Sequence, residues 1–197
     1  MIDEKLLNEI LEWANDSDWS IRRKATEKIK EINNNSFKKY LHIWKKWVKD
    51  KNQNIRIAAG KGLVGIKAEF VPQALDLIEP LLYDEHQMVR EKCGSILSSI
   101  GLKNPSFSFD KLNSWIKDDN KYVRWNIAKC LGARLGKNHP NKSLKLLKKL
   151  AKDNVRLIWY AAASSLAELI SKHPNLKKKV LSWKNCEDCL EVVKEKL

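Results

Sequence analysis

Residues 84–97 read DEHQMVREKCGSIL, and residues 50–63 (DKNQNIRIAAGKGL) and 118–131 (DDNKYVRWNIAKCL) run to the same plan. Each opens on an Asp, with a branched aliphatic five residues on and an Arg directly after it. The Asp recurs at 16, 50, 84, 118 and 153, a period of 34 residues with one step of 35. The aliphatic column is Ile21, Ile55, Val89, Val123 and Ile158, and the next column is Arg22, Arg56, Arg90, Arg124 and then Trp159. Four and eight residues past the aliphatic stand Ala25, Ala59, Cys93, Ile127, Ala162 and Ile29, Leu63, Leu97, Leu131, Leu166. Eleven and eight residues before it stand Ile10, Trp44, Ile78, Leu112, Leu147 and Trp13, Trp47, Leu81, Trp115, Leu150.

Offsets of 0, +4 and +8 trace one stripe of a helix, and −11 and −8 trace a stripe on the helix before it. Each unit is therefore a helical hairpin, with the Asp in the intervening turn as an N-cap or turn former. One hairpin cannot bury both its faces, so neighbours must stack. The predicted repeats run over about 3–34, 36–68, 70–102, 107–137 and 140–172, with a capping helix pair at 175–196. Pro140 stands where a first helix opens, at a position where the missing N–H costs nothing.

The pattern D-x4-[IV]-R-x3-A-x3-L with an apolar helix before it resembles the HEAT repeat. That resemblance implies a single all-α domain over 1–197, a right-handed α-solenoid with second helices lining a concave wall. It also implies a ladder between units, here Asp16, Arg22, Asp50, Arg56, Asp84, Arg90, Asp118 and Arg124. Repeat five departs from it, with Trp159 in the Arg column.

The 197 residues carry 38 Lys and Arg against 24 Asp and Glu, a net charge of +14. The excess is local. Residues 120–184 hold 16 basic residues against Asp153 and Glu168, giving +14, while residues 1–119 give +2 and residues 185–197 give −2. Such a block attracts polyanions. The residues expected to meet nucleic acid on the second-helix wall are Lys61, Trp125, Lys129, Arg134, Lys137 and Tyr160, with the cations on phosphates and the rings stacking. The column Thr26, Gly60, Gly94, Ala128 and Ala163 is small throughout, so adjacent second helices should approach closely. Lys142, Lys145, Lys149 and Lys152 form a stripe on the first helix of repeat five, which reads as a solvated outer face.

Segments 122–140 (YVRWNIAKCLGARLGKNHP), 158–174 (IWYAAASSLAELISKHP) and 18–25 (DWSIRRKA) look like helices of the HEAT-like DNA alkylation-repair glycosylases. That resemblance implies a catalytic set whose nearest matches are Trp115, Asp119 and Arg156. Trp115 lies in a core column and Asp119 beside the repeat turn, so the reading leans away from an enzyme. The leading expectation is a module docking duplex DNA through its backbone. The alternatives are an alkylpurine-type glycosylase and a scaffold for an acidic protein.

Metal chemistry finds little support: Cys186 and Cys189 make a lone C-x2-C, and His42, His86, His139 and His173 are scattered. No phosphate-binding glycine loop and no serine nucleophile elbow occur. No metal, cofactor or membrane partner is expected, and a cytoplasmic monomer is. The charged, polar MIDEKLLNEI predicts no secretory signal, and no apolar run nears the ~20 residues of a membrane span.

Overall fold

The computed structural model describes residues 4–197, and among them every regular element is helical. The chain divides into two compact units, one running through Asn104 and the other spanning Pro105–Leu197. The first holds α1 (Glu4–Asn15), α2 (Trp19–Trp47), α3 (Gln53–Gly62), α4 (Val71–Leu82) and α5 (Gln87–Gly101). The second holds α6 (Pro105–Trp115), α7 (Lys121–Gly132), α8 (Arg134–Asn138), α9 (Pro140–Leu150), α10 (Arg156–Lys172), α11 (Lys177–Leu181) and α12 (Glu187–Glu195). α2 is two helices joined at Ser36, whose φ of −148° and ψ of 28° are not helical, so its two halves belong to successive hairpins.

The periodic apolar columns form the core. Along the second helices Val89, Val123 and Ile158 are buried, as are Ala25, Ala59, Cys93, Ile127 and Ala162. Along the first helices Ile10, Trp44, Ile78, Leu112 and Leu147 are buried behind them. Trp13 departs from its column and is half-buried. The small column is buried too, and α7 and α10 meet there: a Cβ on Gly132 would lie 2.5 Å from Ser165 Oγ, and Ser165 Oγ donates to the Ala128 carbonyl at 2.8 Å.

The recurring Asp is a turn former and not the N-cap. Its carboxylate accepts the backbone N–H two residues on: Asp16 from Asp18 (2.6 Å), Asp50 from Asn52 (2.8 Å), Asp84 from His86 (2.9 Å), Asp118 from Asn120 (2.8 Å) and Asp153 from Val155 (2.9 Å). The residue so positioned caps the second helix. Asp18, Asn52, His86 and Asn120 accept from the backbone N–H two further on, whereas Val155 has no side chain able to do so. The reason is steric order. The hairpin turn needs one Asx-type closure to reverse the chain before a second acceptor can meet the helix N-terminus.

The Arg column straps those turns. Nη1 of Arg22 donates to the carbonyls of Asp16 and Ser17, both at 2.7 Å, and that of Arg56 to Asp50 and Lys51 at 2.7 and 3.1 Å. Arg90 reaches the carbonyls of Asp84 and Glu85, and Arg124 those of Asp118 and Asp119. Arg56 and Arg124 also grip the next turn's Asp. Arg56 meets Asp84 through Nε at 2.6 Å and Nη2 at 2.7 Å, and Arg124 meets Asp153 at 2.7 and 3.3 Å.

Candidate functional site

The sequence between Lys121 and Lys184 supplies all but one of the cations that the packing of the second unit gathers into two grooves. α9 buries Leu144, Leu147 and Leu150, which turns Lys142, Lys145, Lys148, Lys149 and Lys152 outward. α6 lies alongside with Phe109, Asp110 and Asn113. Between them is a cavity of about 640 Å3 with these five lysines on its lining, Phe109 and Leu146 in its floor, and Asp110 as its one carboxylate. Three of the lysines are held in place. Lys149 Nζ donates to Asn113 Oδ1 at 3.0 Å, and Lys142 Nζ lies 5.6 Å from the Phe109 ring centre. Lys148 Nζ sits 5.5 Å from the Trp183 ring. Cations resting on ring faces keep their charge while losing freedom, which lowers the entropy lost when an anion binds.

The second groove lies between α7 and α10 and encloses about 800 Å3. It brings together Trp125, Lys129, Lys137 and Tyr160, four of the six residues expected to bind nucleic acid. Lys129 Nζ lies 4.2 Å from the Trp125 ring centre, and Lys196 Nζ lies 5.4 Å from that of Tyr160. Lys137 is paired with Glu168 at 2.6 Å, and its carbonyl meets His173 Nε2 at 2.8 Å. Of the other two, Arg134 is exposed on α8 outside this lining. Lys61 is half-buried on α3 of the first unit, where burial holds its ammonium below the usual lysine range with Lys92 and Lys30 adding to the effect.

The positive charge divides unequally between the two grooves. The α7–α10 groove has three lysines and a glutamate on its lining, and the α6–α9 groove has five lysines and one aspartate. The reason is the register of α9, whose leucines claim the core and leave every lysine on the first-helix side. The 3, 4, 3 spacing of Lys142, Lys145, Lys149 and Lys152 signals the stripe. The opposing wall comes from α6, some 35 residues earlier in the chain, and no local pattern announces it.

Trp115 is 4% exposed in the packing of α6, with Lys111 Nζ 5.0 Å from its ring centre. Asp119 is exposed in the turn before α7, and Arg156 is exposed at the start of α10. None of the three lines either groove. Among the described residues no three His, Cys, Asp or Glu side chains cluster as metal ligands would. Cys93, Cys130, Cys186 and Cys189 are buried and not joined in disulfides. Burial pushes the Cys189 thiol up to about 12 and raises that of Cys186. No helix among the described residues is long and apolar enough to cross a membrane.

No family model matches the sequence, and no curated protein does either. Solved structures do match. The MAST/Orbit N-terminal domain is 14% identical over 95% of this chain and 94% of its own, with a TM-score of 0.63. A TOG structure, described in terms of tubulin-binding specificity, is 17% identical over 96% of this chain and 81% of its own, at 0.53. The archaeal HEAT-like repeats protein from Thermococcus onnurineus NA1 is 15% identical over 98% of this chain and 89% of its own, at 0.50. Likeness at these identities shows the fold alone. The fold is an all-α solenoid of HEAT-like helical hairpins.

Proposed function

We propose that the chain is a helical-repeat binding module that docks on the phosphate backbone of duplex DNA, with the lysine-rimmed groove between α6 and α9 as its grip. The observation that carries this reading is the convergence of five lysines on one groove with a single carboxylate among them, in a stretch of the chain holding the whole net charge. Ammonium groups on flexible stems suit phosphates and read no bases, so binding is expected to be independent of sequence. Arg134, exposed on α8, adds to the same field.

Neutralising about five phosphates gives a slope of about −4.5 for log affinity against log salt. Anisotropy of a labelled 20-base-pair duplex over a salt series measures it. The double substitution Lys145→Glu and Lys149→Glu should weaken binding more than tenfold and flatten the slope by about 2. Binding that ignores salt, or that survives this double substitution, would overturn the proposal. A protein partner is the competing reading, since the TOG structure is described as binding tubulin. Polyglutamate displacing DNA at equal charge concentration would favour it.

A further inference from the structure

The α7–α10 groove differs in kind from the lysine field, and we infer that it docks a short extended segment of a partner protein in which apolar residues alternate with acidic ones. Its floor is made of small residues, where Gly132 and Ser165 let α7 and α10 close up: Ala133 and Ser164 are half-buried there, and Ala161 is 7% exposed. Its lining includes exposed apolar side chains: Leu157 is 39% exposed and Tyr160 is 43% exposed. About 800 Å3 is room for several residues of extended chain.

Charge selects the occupant. Lys129, Lys137 and Lys196 stand on the lining against Glu168 alone, so a segment carrying carboxylates is complementary and a basic one is not. A single strand of nucleic acid fits less well. The faces of Trp125 and Tyr160 that a base would stack on already carry the ammonium groups of Lys129 and Lys196, at 4.2 and 5.4 Å. Glu168 adds a carboxylate that would face the phosphates. An extended peptide presents alternate side chains to opposite sides. One set meets Leu157 and Ala161, and the other meets ammonium groups that their aromatic neighbours hold in place. The hydroxyl of Ser164 is at hand for its main chain.

The experiment uses the full chain and a fluorescein-labelled octapeptide of alternating Asp and Leu, read by anisotropy. The same peptide with Lys for Asp is the charge control, and unlabelled dT12 is a competitor. The Asp–Leu peptide should bind and the Lys–Leu peptide should not. Tyr160→Ala and Lys129→Glu, both at solvent-reached positions, should each weaken binding at least tenfold while circular dichroism stays unchanged. Lys145→Glu with Lys149→Glu should leave it unaltered, which separates this site from the DNA grip. The inference is overturned if the Asp–Leu peptide does not bind. It is equally overturned if the peptide binds both groove variants as well as the parent, or is lost with the α9 double variant. Displacement of the peptide by dT12, with dT12 binding itself lost in Tyr160→Ala, would make the groove a nucleic-acid site and also overturn it.

Discussion

Arg56 closes two turns at once: Nη1 donates to the carbonyls of Asp50 and Lys51 in its own hairpin, while Nε and Nη2 hold both carboxylate oxygens of Asp84 in the next. The pair is nearly dry, at 9% and 6% side-chain exposure, and Asp84 keeps the Arg56 guanidinium charged by raising its already high pKa. Removing one partner of such a pair strands the other. Arg56→Ala should therefore cost about 3 kcal/mol or more of unfolding free energy in a urea titration. Arg56→Lys should recover only part of this, because an ammonium cannot span two turns in a fork.

The fifth hairpin has an uncapped second helix. Val155 occupies the N-cap position with φ of −96° and ψ of 117°, the extended conformation that Asp18, Asn52 and Asn120 adopt at theirs. Val155→Asn should gain about 1 kcal/mol, and Asn120→Ala should lose about as much. In a chain of this size that is a shift of roughly 2–4 °C in Tm in each direction.

Gly132 is small because α10 leaves no space beside it. Gly132→Ala should destabilise by about 1–3 kcal/mol, as its methyl would press on the Ser165 side chain. Combining it with Ser165→Gly should recover part of the loss, and a double-mutant cycle measures the coupling.

Lys137 and Glu168 are exposed enough, at 35% and 62%, that their 2.6 Å contact adds at most about 1 kcal/mol to stability. Glu168→Gln should leave the melting temperature nearly unchanged. It should tighten binding of the Asp–Leu peptide several-fold, because it removes the carboxylate that competes for Lys137.

The solenoid is legible in the sequence because stacking constrains each hairpin in the same way, so the core columns carry a 34-residue beat from Ile10 to Leu166. The turn chemistry is only half legible. An Asp marks each turn, yet its carboxylate serves the residue two places on, and nothing in the spacing separates a turn closure from a cap. The four residues Trp125, Lys129, Lys137 and Tyr160 could be grouped from their repeat positions, because the second helices α7 and α10 and the short α8 that follows α7 hold them all. The lysines of α9 could not be given a site, since Phe109 and Asn113 reach them only through packing.

The two-turn grip of Arg56 and Arg124 bears on how the protein comes apart. A hairpin cannot slacken its bend without releasing the carboxylate of its successor, so adjacent hairpins share their opening transitions. Amide protons bonded to those carboxylates, at His86 and Val155, should exchange with solvent only in events that span two hairpins, whereas the Trp159 column beyond Arg124 sends no such arm onward. Slow, joint exchange across the hairpins that Arg56 and Arg124 link would then give way to faster, independent exchange past the Trp159 position.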